Sequence, residues 1–112
     1  MTDQIKEFYG KFNKDMGRLQ KEIPDTLQGF GGLFSKVMTD GAMSLREKEL
    51  AALAIAVATQ CQSCIRLHVK KCLEAGADKK QILEAASVAV MMTGGPAYTQ
   101  LPEVLNTLEA LD

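Results

Sequence analysis

Apolar residues along this chain recur at intervals of three and four, the spacing of one helical face. No stretch alternates with the period of two that a half-buried strand needs. Over 2–20, Ile5, Phe8, Phe12, Met16 and Leu19 line one side of an amphipathic helix, with Gly10 and Gly17 weakening it. Pro24 suits the first turn of a second helix carrying Leu27, Phe30, Leu33, Phe34, Val37 and Met38. Gly29, Gly31 and Gly32 inside it leave two options, close packing against a neighbour or partial irregularity. TDGAM then reads as a loop.

Ser44 and Glu47 form a capping box that opens a third helix, LREKELAALAIAVATQ. Beyond Glu49 this helix has no charge on any side until it breaks near Thr59–Gln60, which predicts a helix covered all round. A fourth helix is expected from about Cys61 to Ala75, stopped by Gly76. Asp78 caps a fifth, DKKQILEAASVAVMMT, with Ile82, Leu83, Ala86, Val90 and Met91 inward. GGP at 94–96 breaks it, and a last helix over 97–111 presents Leu101, Val104, Leu105, Leu108 and Leu111, with Pro102 kinking or separating its first turns. The expected fold is all-α, about six helices in one domain spanning 1–112.

Composition narrows the function classes. The 112 residues are 46% apolar and 24% charged, ordinary for a soluble domain, and the net charge of −1 offers no basic field for nucleic acid. No apolar run reaches the roughly 18 residues of a membrane span. The N-terminus lacks an apolar signal core, so a cytoplasmic protein without membrane or nucleic-acid partners is expected. Three cysteines cannot all pair within one chain. In that compartment a CxxC points to redox chemistry or metal binding rather than to a structural staple.

The candidate chemistry lies on the fourth helix. Cys61 and Cys64 are three apart, and His68, the only histidine, follows four residues later. At about 100° per residue from Cys61, Cys64 falls at about 300°, His68 at about 340° and Cys72 at about 20°, one narrow stripe. Arg66 and Lys70 lie opposite. For Cys72 the simple reading is a small core hydrophobe. For Cys61, Cys64 and His68 the shared face points to chemistry: a thiol beside an imidazole is readily ionised, and the thiolate is the nucleophile.

Zinc fits poorly. Cys61 and Cys72 stand ~16 Å apart along one helix axis, while ligands sit about 2.0–2.3 Å from the metal. No metal and no cofactor is expected. A CxxC at a helix start, by contrast, can close and open a disulfide without large motion. A Cys61 thiolate gains from the helix N-terminus, and Cys64 gains from His68. Glu49 can orient His68 if the start of the third helix packs back over the fourth; otherwise it is an ordinary first-turn glutamate.

The order Glu49, eleven residues, Cys61-Gln62-Ser63-Cys64, three residues, His68 resembles the carboxymuconolactone decarboxylase and AhpD-like family. So does the stretch LHVKKCLEAGADKKQILEAASVAVMMTGG, and the likeness spans roughly residues 23–111. The resemblance implies an all-helical homo-oligomer, trimeric or hexameric, acting as a disulfide reductase with weak alkyl hydroperoxidase activity in support of peroxiredoxins. It implies Cys64 as attacking cysteine, Cys61 as resolving cysteine, and Glu49 and His68 as proton relay. Its partners would be a peroxide or disulfide substrate and a thiol electron donor or peroxiredoxin. Ser63 stands where the AhpD-like pattern has a histidine, and the chain resembles only the compact core of AhpD. Two other readings are a lactone decarboxylase using His68 and Glu49, and a non-catalytic oligomeric binding module. Phe8, Phe12, Phe30 and Phe34 are the expected contact residues between subunits.

Overall fold

Two reciprocal caps set the frame of the molecule. Ser44 Oγ accepts the backbone N–H of Glu47 while Glu47 returns a carboxylate oxygen to the Ser44 N–H. Asp78 and Gln81 repeat the arrangement. Each cap satisfies orphan donors at a helix start and fixes where that helix begins. The computed structural model describes residues 2–112, and these form α1 (Thr2–Glu22), α2 (Pro24–Val37), α3 (Leu45–Ala58), α4 (Gln62–Glu74), α5 (Lys79–Thr93), the short α6 (Gly95–Tyr98) and α7 (Leu101–Leu111). No strand occurs among the described residues, and none of their helices is long and apolar enough to cross a membrane.

The core is a layer of small and branched side chains with α3 at its centre. Leu53, Ala56 and Val57 of α3 meet Ile65, Val69 and Cys72 of α4, Ile82 and Ala86 of α5, and Val104 and Leu108 of α7. A second, smaller cluster of Ile5, Tyr9 and Ala110 joins α1 to α7. Tyr9 adds a long-range tie, donating its hydroxyl to the Arg66 carbonyl at 2.6 Å.

Helices α3 and α4 form a tight antiparallel hairpin, and its turn is the most informative backbone feature of the fold. Gln60 N–H donates to the Val57 carbonyl, and Cys61 N–H reaches back to the Ala56 carbonyl. This is a Schellman closure, which needs a left-handed residue just past the helix end. Gln60 takes that conformation at φ 57°, although glycine is the residue that suits it. The same closure ends α4, where Gly76 holds φ 94° and Ala77 N–H reaches the Cys72 carbonyl.

Several expectations change. Helix α3 is not covered on every side: Ala51 is exposed and Ile55 is 64% exposed, because within one chain only α4 and α5 pack broadly against it. Of the two options for the last helix, its first turns are separate: Gly95 and Pro96 start the short α6, and Pro102 stands in the first turn of α7. Helix α2 is regular despite its glycines, yet none of its residues is buried and no neighbour lies within 4 Å of a Cβ built on Gly29, Gly31 or Gly32. Close packing is therefore not their role within this chain. On α1, Tyr9 rather than Phe8 or Phe12 is buried, and Leu19 is exposed. On α5, Met91 points outward and Ala89 inward.

Each of the four phenylalanines expected at contacts has a ring partner within the chain, Phe30 against Phe34 among them. Phe8 stacks with Phe12 and carries the Arg66 guanidinium over its ring, and Phe34 stacks on His68. Phe30 alone is widely exposed, at 68%. Further exposed apolar side chains include Leu33, Val37, Ile55, Val88, Met91, Met92 and Tyr98, on the outer faces of α2, α3, α5 and α6.

Candidate active site

Cys61 belongs to two helices at once. Its N–H closes α3, while its sulfur is the N-cap of α4 and accepts the Cys64 N–H at 3.2 Å. Its position is therefore determined by the ends of both helices. Cys64 lies in the first turn of α4, half-buried against the core, and the two cysteines are joined as a disulfide with their Cα atoms 5.2 Å apart. The α4 N-terminus contributes positive potential at this spot, which favours a thiolate when the bond is reduced.

One turn beyond Cys64, His68 meets Glu49. The carboxylate Oε1 lies 2.7 Å from the imidazole Nδ1. The hairpin makes this pairing: the start of α3 runs back over the middle of α4, the condition on which a role for Glu49 depended. The glutamate side chain is only 4% exposed and the histidine 18%. A carboxylate so enclosed needs a partner, and accepting the Nδ1 proton gives it one. The same bond selects the tautomer whose Nε2 is free to accept. Phe34, from α2, stacks on the imidazole with ring centroids 6.3 Å apart, and the Lys71 ammonium sits 5.1 Å from the Phe34 centroid.

Cys72 shares the stripe but not the chemistry. It is fully buried and unpaired. Burial, with the Glu49 carboxylate adding to it, pushes its thiol from 9.0 up to about 12. A thiol so far from ionisation is a poor nucleophile.

Sequence reasoning named Glu49, Cys61, Cys64 and His68, and the fold gathers all four along the α3–α4 hairpin. It missed the support around them. Glu103 of α7 binds the Arg66 Nε at 2.5 Å and Gln62 Nε2 at 3.5 Å, bracing the first turns of α4 from the side. Arg66 looked like a solvated residue opposite the stripe; the oppositely charged Glu103 early in α7 was the only available signal. Phe34, expected at a subunit contact, meets His68 within the chain, and nothing in the spacing of α2 reveals that neighbour. A larger groove of about 510 Å³, lined by Leu83, Tyr98, Leu101, Pro102 and Leu105, contains none of the four site residues.

Comparison with known proteins places the chain in a family. Residues 24–107 match the model of the carboxymuconolactone decarboxylase family. The fold superposes on the apo form of a carboxymuconolactone decarboxylase family protein from Legionella pneumophila with a TM-score of 0.90 at 33% identity, covering 96% of both chains. It also superposes on a Thermotoga maritima member for which an antioxidative role has been suggested, with a TM-score of 0.71 at 30% identity over 77% of this chain and 89% of that one. In sequence, an uncharacterised protein of Cupriavidus necator is 29% identical over 112 residues, covering 100% of this chain and 99% of its own. An uncharacterised protein of a cox locus in Paracoccus denitrificans is 42% identical over 83 residues, 74% of this chain and 75% of its own.

Proposed function

Because this chain belongs to the carboxymuconolactone decarboxylase family, we propose that its Cys61–Cys64 pair makes it a thiol–disulfide oxidoreductase that also reduces alkyl hydroperoxides. The observation that carries the reading is the Glu49–His68 bond set one turn beyond Cys64. A decarboxylase needs no disulfide beside its general base; a redox enzyme does.

The steps follow from the residues. His68, with Nδ1 held by Glu49, takes the Cys64 proton on Nε2. The Cys64 thiolate attacks a peroxide oxygen, the O–O bond breaks, and the leaving alkoxide takes a proton from the imidazolium as it departs as alcohol. Cys64 is then a sulfenic acid. Cys61, stabilised as a thiolate at the α4 N-terminus, attacks the Cys64 sulfur; hydroxide leaves, is protonated to water, and the disulfide closes. An external dithiol or a peroxiredoxin partner completes the cycle by exchange, reducing the pair and being oxidised in turn. With a disulfide substrate the same thiolate attacks sulfur in place of oxygen.

The test is turnover. Reduced protein is given an alkyl hydroperoxide with dithiothreitol as donor, and donor oxidation is followed. Wild type is expected to consume donor in proportion to peroxide, and Cys64→Ser to fall to the uncatalysed rate. Equal donor consumption with and without wild-type protein would refute the reading.

A further inference from the structure

Glu49 does not end at His68. The same residue lines a separate cavity of about 200 Å³, together with Phe34 from α2, Met38 just after it, Leu45 from α3, Lys71 and Glu74 from α4, and Ala75 just after that helix. This volume far exceeds the roughly 10–15 Å³ that one water requires. The charged groups around it are Glu49, Lys71 and Glu74, and Glu74 is exposed at its mouth. His68 is not among its walls, whereas Glu49, which bonds the imidazole, is. The cavity lies toward the C-terminal end of α4, while the cysteine pair lies at its N-terminal end.

We propose that this cavity is a proton port, through which Glu49 exchanges the His68 proton with water on the side away from the thiols. The inference rests on the thiol-oxidoreductase reading. When a substrate occupies the thiol mouth, the imidazole cannot exchange protons there; the carboxylate behind it can. The steps balance. Cys64 gives its proton to Nε2, Nδ1 gives its own to Glu49, and Glu49 releases one to cavity water. A proton then returns from the cavity through Glu49 to Nδ1 and restores the imidazolium, whose Nε2 proton goes to the leaving alkoxide, so the port passes one proton out and one in per cycle. Phe34 rests on the imidazole face and also lines the cavity.

The experiment is chemical rescue. Glu49→Ala opens the cavity toward Nδ1, and formate is small enough to replace the lost carboxylate. Peroxide-driven loss of thiols is measured in single turnover, with and without formate. Two further variants fill the cavity from different sides in the Glu49→Ala background: Ala75→Leu just after α4 and Met38→Trp just after α2. Circular dichroism and disulfide closure by diamide check that each folds and keeps its cysteine pair. Glu49→Ala is expected to slow the reaction about 10²-fold. Formate should restore about tenfold, and both filling variants should abolish that rescue. Rescue undiminished in the filled variants would overturn the port while leaving the redox reading intact, because formate would then arrive by the thiol mouth. A slow Glu49→Ala that formate does not rescue would overturn it as well. Wild-type speed in Glu49→Ala would overturn both the relay and the port.

Discussion

Glu49 and His68 are 19 residues apart in sequence and 2.7 Å apart in the fold, joined carboxylate to imidazole across the α3–α4 hairpin. In the proposed mechanism the pair serves the half-buried Cys64 as a base whose tautomer is set from behind. Removing either member should slow Cys64 oxidation by about 10²–10⁴, the range for a positioned base. The two variants should differ in stability. Glu49→Gln keeps a hydrogen-bonding partner for the ring, whereas His68→Ala strands a buried carboxylate and should cost about 1–3 kcal/mol. Stopped-flow thiol loss and urea unfolding check both halves. Undiminished reactivity in Glu49→Gln would reduce Glu49 to a structural partner of His68.

The turn that seats Cys61 holds a non-glycine residue in a left-handed conformation. Gln60 at φ 57° should cost of order 1 kcal/mol relative to glycine. Gln60→Gly is therefore expected to raise stability by about 0.5–1 kcal/mol in denaturant unfolding, with the Cys61–Cys64 bond still forming. Loss of stability would mean that the Gln60 side chain makes a compensating contact.

Cys72 and Tyr9 give a pH signature. Burial raises the Cys72 thiol from 9.0 to about 12, and Tyr9 from 10.0 to about 12. Both are neutral in the fold where the unfolded chain has ionised, so the folded state binds more protons between about pH 9 and 12. Stability should be full below that window and decline as pH rises through it. Cys72→Val, close in volume, should flatten the decline measured by urea unfolding between pH 8 and 11. At neutral pH, Cys72 should resist iodoacetamide while reduced Cys61 and Cys64 are alkylated. Rapid alkylation of Cys72 would contradict its placement.

What the sequence made legible was local chemistry. Ser44 with Glu47, Asp78 with its helix, and Gly76 after α4 each state a helix boundary in a few adjacent residues, and those boundaries stand. The stripe of Cys61, Cys64 and His68 follows from helical period alone. The Glu49–His68 bond was legible only as a condition, because it depends on how one helix folds back on another. Phe34 resting on His68, Glu103 bracing Arg66, and the open face at Ile55 were not legible for the same reason. A pattern that is apolar on all sides tells which residues need cover, not whether the same chain supplies it.

That open face motivates the assembly prediction. Ile55, Val88, Met91 and Met92 leave large apolar side chains uncovered in a single chain, as Phe30 and Leu33 do on α2. Exposed patches of this kind mark interfaces, and soluble oligomers are usually closed and symmetric. A trimer or hexamer is expected by light scattering at micromolar concentration, and Met91→Lys should weaken it if α5 forms the contact. A stable, well-folded wild-type monomer would refute the expectation.

The most direct test of the redox account is to locate the bond that peroxide makes. Fully reduced protein is treated with one equivalent of an alkyl hydroperoxide, its free thiols are counted, and the oxidised protein is mapped by peptide mass spectrometry without reduction. The account predicts that three thiols fall to one, that the product is a Cys61–Cys64 disulfide, and that Cys61→Ser instead traps Cys64 as a sulfenic acid or mixed disulfide. Three thiols remaining after peroxide, or a product linked through Cys72, would contradict it.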